Sequence, residues 1–252
     1  MVLFLVFLFG LIIGSFLNAV LYRLEVGGSL VTERSRCPKC GHILQWYELF
    51  PLLSFFIQKG KCRACKKRIS IQYPLVELAT GLLFLEVFLY YKEQFSVSLL
   101  YGFFVIALLV LVFVFDLKHY IIPNIAVYSL IILSFFYDLY FYDIADLKNF
   151  MIAAVAASGF FLFLYIVSSG RWIGFGDVKY GVFMGLFLGW PSVLVGLFLA
   201  YVSGAIIGLL LLAVKRKNFK SEIPFGPFLI IGTLIAFFWG KEILFWYLGF
   251  QV

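Results

Sequence analysis

Charge is scarce in this sequence. Only 13% of its 252 residues are Asp, Glu, Lys or Arg, whereas 64% are hydrophobic and 21% aromatic, a balance that excludes a soluble globular domain. Histidine is limited to two residues and cysteine to four. No basic stretch precedes the first apolar run, MVLFLVFLFGLIIGSFLNAVLY, and its first charge, Arg23, follows it. That order predicts an uncleaved first span rather than a signal peptide. No internal repeat or low-complexity linker is evident. No glycine-rich nucleotide loop follows a strand, so the sequence places no cofactor pocket.

What is abundant is apolar sequence long enough to cross a bilayer. Eight spans are expected, at about 2–22, 75–91, 97–115, 121–142, 149–169, 178–190, 191–214 and 224–249. The fold class is therefore all-α, a polytopic membrane bundle. The sixth and seventh spans are separated only by Gly189-Trp190-Pro191, a turn signal that could instead be a kink inside one long segment. The expected organisation is a first transmembrane helix at 1–22, an extramembrane insert at 23–74 and a bundle at 75–252. With the N-terminus outside, loops 23–74, 116–120, 170–177 and 215–223 fall on the cytoplasmic side. They and their edges hold most of the basic residues, including Arg34, Arg36, Lys39, Lys61, Arg63, Lys66, Lys67, Arg68 and Lys215-Arg216-Lys217. Lys92, Lys148 and Lys241 fall on the other side. The formal net charge of +7 is thus explained by the positive-inside rule, and nucleic acid is not an expected partner.

All four cysteines lie in the insert, within RCPKCGHILQWYELFPLLSFFIQKGKCRACKKR. Cys37, Cys40, Cys62 and Cys65 form two C-x-x-C pairs, and two such knuckles can complete a tetrahedral thiolate shell around zinc. Two disulfides are the alternative, disfavoured in a reducing compartment. Four thiolates leave no open position for water, so the metal is expected to be structural, a staple for a segment with little core of its own. His42 reads as a polar loop residue rather than a further ligand.

Two aspartates are expected at one membrane depth. Asp116, in FVFDLKHYIIPN, lies where the third span reaches the cytoplasmic side, and Asp177, in GFGDVK, lies where the sixth leaves it. Such a pair suits an aspartyl protease: one ionised carboxylate takes a proton from attacking water while the other, protonated, donates to the carbonyl oxygen or the leaving amine. Gly174 and Gly176 beside Asp177 would permit backbone angles and close approach that side chains forbid. The structural alternative makes Asp177 a helix cap and Asp116 a solvated helix end paired with Lys118 or Lys179.

Taken together, these residues resemble the type IV prepilin peptidase family, bifunctional leader peptidases and N-methyltransferases of the G-x-G-D intramembrane aspartyl protease class. The resemblance runs through GSFLNAVLYRL at 14–24, the two cysteine knuckles, ISIQYPLVELATG at 69–81, DLKHYIIPN at 116–124, GFGDVK at 174–179 and IPFGP at 223–227. Departures are Glu25, where the family often has proline, and Phe50, where a smaller aliphatic residue is usual. The resemblance implies cleavage of a basic leader from a type IV prepilin or pseudopilin after a glycine. It also implies methylation of the new N-terminal residue from S-adenosylmethionine, in the inner membrane of a bacterium, with membrane lipid as surroundings. Asp116 and Asp177 would be the catalytic pair.

Other polar residues have two readings each. Glu48 and Glu77 flank the insert and could meet substrate or donor, or be interfacial carboxylates. Glu86 inside the second span is expected to mark a buried polar contact or a water-filled cavity, and Asn18 an interhelical hydrogen bond or a substrate contact. Phe160-Phe161 and Phe237-Phe238-Trp239 read as packing or lipid-facing residues. Two rival functions remain: a proton- or cation-coupled transporter using the aspartates, and a membrane-anchored zinc module that recruits a partner.

Overall fold

The computed structural model describes residues 1–28, 34–214 and 223–249; the basic triplet Lys215-Arg216-Lys217 lies outside the described residues. Among those described, nine α-helices and one short 3-10 turn form and no strand does. Seven of the helices are long and apolar enough to cross a membrane, one fewer than the eight spans expected, because the expected sixth span, 178–190, falls in a helix of only 14 residues. Contacts divide the chain into two compact units, Met1–Leu111 and Val112–Val252.

The first unit is built on α1 (Val2–Val26) and α3 (Gln72–Tyr90). Helix α1 continues four residues past the expected end and stops at Gly27, whose φ of 70° turns the chain and whose amide bonds the Arg23 carbonyl. The two helices meet backbone to backbone. A Cβ on Gly10 would lie 2.7 Å from the Gly81 Cα, and one on Gly14 would lie 2.7 Å from the Glu77 Cα. G-x-x-x-G spacing on α1 therefore does what apolar bulk cannot do in lipid, letting dispersion and backbone contact replace a hydrophobic force that is absent there. Between them lies the insert, with a 3-10 turn at Trp46–Glu48 and the one-turn helix α2 (Leu53–Ile57). The N-terminal part of α4 (Val97–His119) joins this unit through Phe103, stacked on Phe84 at 4.4 Å.

In the second unit, α7 (Phe175–Leu188) touches α5 (Asn124–Phe141), α6 (Ile144–Ser168), α8 (Ser192–Ala213) and α9 (Gly226–Leu248). Its 14 residues span about 21 Å, short of the roughly 30 Å hydrocarbon core. Its neighbours rather than lipid cover it: Tyr180, Phe183 and Met184 are fully buried, and the Tyr180 hydroxyl donates to Thr233 Oγ1 on α9 at 3.0 Å. The Gly189-Trp190-Pro191 segment is a true turn. Asn149 holds it, accepting from the Trp190 N–H at 2.6 Å and donating to the Trp190 carbonyl at 3.1 Å. The sixth and seventh apolar segments are thus separate helices.

Candidate functional site

Asp116 and Asp177 come to the same end of the second unit. Asp116 sits in the last turn of α4, before a connection that reverses at Tyr120, where φ is 58°. Asp177 is the third residue of α7. The links from α4 to α5 and from α6 to α7, together with the start of α9, gather at this end. Gly176 packs against Ile122, with a Cβ there 3.1 Å from that of Ile122, and Lys179 donates to Asn124 Oδ1. Both aspartates are buried, 4% and 7% exposed, and the charge of Asp116 is felt at Asp177.

Each carboxylate lies at a helix N-terminus. Asp177 Oδ2 accepts from the Gly174 N–H at 3.0 Å, tying the third residue of α7 back to the residue that precedes it. The cap position is therefore Gly174, not Asp177. Gly174 itself has ordinary extended angles, φ −81° and ψ 154°; the close approach occurs at Gly176. Asp116 faces the first amide of α9, that of Gly226. A Cβ on Gly226 would stand 2.5 Å from Asp116 Oδ2, so the absence of a side chain there is what admits the carboxylate. The positive ends of two helix dipoles thus face the pair. Asp116 Oδ2 is buried and accepts no hydrogen bond among the described groups. Lys179, the cation suggested as a pairing partner, instead bonds Asn124 and stands over the rings of Tyr128 and Phe175 at 5.4 Å each.

The four cysteines also converge, in the first unit. Their sulfurs all lie within 4.8 Å of one another, and none is joined in a disulfide. A tetrahedral zinc with Zn–S bonds of about 2.3 Å would set its sulfurs about 3.8 Å apart; Cys40 and Cys62 are at 4.0 Å. The knuckles share one hydrogen-bond pattern. The Cys37 N–H donates to His42 and its carbonyl accepts from Gly41; the Cys62 N–H donates to Lys67 and its carbonyl accepts from Lys66. Gly41 and Lys66 take matching positive φ values, 73° and 58°. This small internal duplication escaped sequence reading because the eight-residue segments share little beyond their cysteines.

The thiols differ electrostatically. The Cys65 backbone amide, aided by that of Ala64 and opposed by burial, lowers the Cys62 thiol to about 7. At Cys40 the His42 amide pulls down, but desolvation and the three neighbouring sulfurs carry the thiol up to about 11. So crowded a set cannot all ionise without a cation at its centre, and the cluster could hold a metal ion.

Known families match both units. The family described as "Bacterial Peptidase A24 N-terminal domain" matches residues 8–91, and "Type IV leader peptidase family" matches residues 103–209. Proteins named "Prepilin leader peptidase/N-methyltransferase" are similar over most of the chain. That of Legionella pneumophila is 30% identical over 96% of this chain and 93% of that protein. That of Bacillus subtilis is 32% identical over 96% of each, and that of Myxococcus xanthus 38% identical over 87% and 67%. The chain belongs to the type IV leader peptidase family. No solved structure matches it significantly.

In this leader peptidase family member Asn18, Glu48 and Glu77 have local partners, whereas Glu86, expected to mark a buried polar contact, is only half-buried. Asn18 Nδ2 donates to the Tyr73 carbonyl at 3.0 Å, joining α1 to α3. Glu48 Oε2 accepts from the Gln45 N–H at 2.9 Å and meets His42 Nε2 at 3.3 Å, so His42 is engaged away from the sulfurs. Glu77 accepts the Leu52 N–H at 2.8 Å and pins the insert to α3. Sequence reasoning missed two neighbours of the aspartates, Gly226 and Tyr201. Tyr201 on α8 packs on Phe225, the residue before Gly226, at 5.0 Å. The IPFGP motif was a visible signal for Gly226; nothing singled out Tyr201.

Proposed function

We propose that the chain cleaves the leader from type IV prepilins or pseudopilins at the Asp116–Asp177 pair and then N-methylates the new N-terminal residue. The observation that carries this reading is the pair itself: two buried carboxylates, sixty-one positions apart, lie within electrostatic reach of each other at one end of a helical unit. In the reaction, one ionised carboxylate takes a proton from water as its oxygen attacks the scissile carbonyl. The other donates its proton to the departing amine as the C–N bond breaks, giving a leader carboxylate and a free amine. The Asp116 Oδ2 lone pairs, without a partner among the described residues, suit the water. The Gly174 N–H holds the Asp177 carboxylate, and Gly176 admits the close approach of Ile122 beside it.

S-adenosylmethionine, implied by the relatives' name, would supply the methyl group to the freed amine; none of this chain's residues is assigned to hold it. Zinc is the metal that best suits Cys37, Cys40, Cys62 and Cys65, and a complete thiolate shell gives it a structural role. We further place the chain in the bacterial inner membrane with its N-terminus outside and the 23–74 insert cytoplasmic, from the distribution of Lys and Arg. Residues 1–22 then anchor the insert, and 75–252 form the bundle. The transporter reading gains nothing from the geometry, since both aspartates lie at one end rather than at mid-span. Purified protein incubated with a prepilin and labelled methyl donor tests the proposal. Product masses should show leader loss and label on the mature peptide; an intact precursor with fully folded protein would refute it.

A further inference from the structure

The cysteine insert carries a surface to which neither proposed reaction assigns a role. Between Glu48 and Glu77 the sequence has no acidic residue, but it has Lys59, Lys61, Arg63, Lys66, Lys67 and Arg68, all exposed. Lys59, Lys61, Arg63 and Lys66 line one cleft together with Ile57. Beside it stand large apolar side chains in the open: Trp46 is 73% exposed, Phe56 69% and Ile57 70%, with Phe50 and Leu53 also exposed. On α2, Leu53, Phe56 and Ile57 follow i, i+3, i+4 spacing and so share a face. The basic and apolar parts are continuous, because the Arg63 guanidinium stands 4.9 Å over the Tyr47 ring and Trp46 packs edge-on against Tyr47 and Phe50.

The fold fixes the depth of this surface. The insert is tethered at both ends to apolar helices, α1 and α3. The Leu52 N–H is bonded to the side chain of Glu77, the sixth residue of α3, which ties Leu52 to the first turns of a helix long and apolar enough to cross a membrane. Leu52 is also held in a strained conformation, φ 58° and ψ −52°, with the Leu53 N–H bonded back to the Pro51 carbonyl. Tryptophan, tyrosine, lysine and arginine interleaved at that level are the composition of a segment seated at the boundary between headgroups and acyl chains.

We propose that residues 46–68 of the insert dock on anionic phospholipid in the leaflet where α1 ends and α3 begins. Trp46, Phe50, Leu53, Phe56 and Ile57 enter the acyl boundary, and the lysines and arginines of the cleft take the headgroup phosphates. Charge complementarity commits the surface to an anionic lipid. The inference does not depend on the roles of Asp116 and Asp177.

The test is amide hydrogen exchange on the full chain in nanodiscs of phosphatidylcholine alone, or of equal parts phosphatidylcholine and phosphatidylglycerol. Residues 46–58 should exchange on the order of tenfold more slowly in the anionic discs, and high salt should remove the difference. Lys59→Gln with Arg63→Gln should abolish the slowing, as should Phe56→Ser with Ile57→Ser, while bound metal stays at the parental level. Equal exchange in the two discs of the parental protein would overturn the proposal without recourse to any variant. Slowing reproduced in neutral discs by inorganic phosphate would also overturn it, by reducing the cleft to a simple anion site.

Discussion

The Asp116 carboxylate has a glycine, not a side chain, facing it from α9. A methyl group on Gly226 would stand 2.5 Å from Asp116 Oδ2, so Gly226→Ala must displace the carboxylate or the start of α9, at a cost of about 1–3 kcal/mol for overpacking. Leader removal should fall by at least about tenfold while thermal melting shifts only modestly; parental cleavage rates would show that the Asp116 position is not critical. The cysteines make a second residue-level prediction. Purified protein should carry about one zinc per chain. Replacing Cys37, Cys40, Cys62 or Cys65 by serine should lower it, and undiminished metal in the fourfold variant would remove the site. Aspartates and cysteines were legible in the sequence because each stands out, a charge at the edge of an apolar run or a paired thiol in a chain with only four. Gly226 and Tyr201 were not legible as neighbours of the pair, because those contacts are made by helices far apart in sequence.

Helix packing here runs on small residues. Gly181 and Gly185 on α7 repeat the G-x-x-x-G spacing seen at Gly10 and Gly14, and a Cβ on Gly185 would fall 2.3 Å from the Ala154 backbone on α6. Gly185→Val should therefore force α6 from α7, lowering the thermal midpoint and, by moving the helix that carries Asp177, suppressing cleavage. Gly159, on α6 with nothing near its would-be side chain, supplies the contrast. Gly159→Ala should be neutral or stabilising by up to about 1 kcal/mol. If both variants melt alike in detergent, close approach at Gly185 does not hold the pair together. Hydropathy revealed that these helices exist but not which pairs meet, since every face of such a helix is apolar. It also left the α7 and α8 boundary open. In the structure Gly189 ends α7 with φ 65° and Asn149, 41 positions away, bonds Trp190, which makes the Gly189-Trp190-Pro191 segment a turn.

On the scale of the whole molecule, the two sets of candidate site residues fall into different compact units, the cysteines within Met1–Leu111 and the aspartates within Val112–Val252. Damage to one need not disable the other. The Asp116→Asn and Asp177→Asn proteins should still methylate a synthetic peptide that begins at the mature N-terminus. Loss of the knuckles should reduce methylation more than cleavage. Failure of folded Asp variants to methylate that peptide would favour one shared site. The most direct measurement of the central claim is the single-turnover rate of leader removal by Asp116→Asn and by Asp177→Asn, followed by product mass in folded, membrane-inserted protein. An amide keeps the shape of the carboxylate but cannot cycle a proton, so each variant should be slower on the order of a thousandfold. Cleavage by either one at close to the parental rate would contradict the assignment of this pair as the hydrolytic centre.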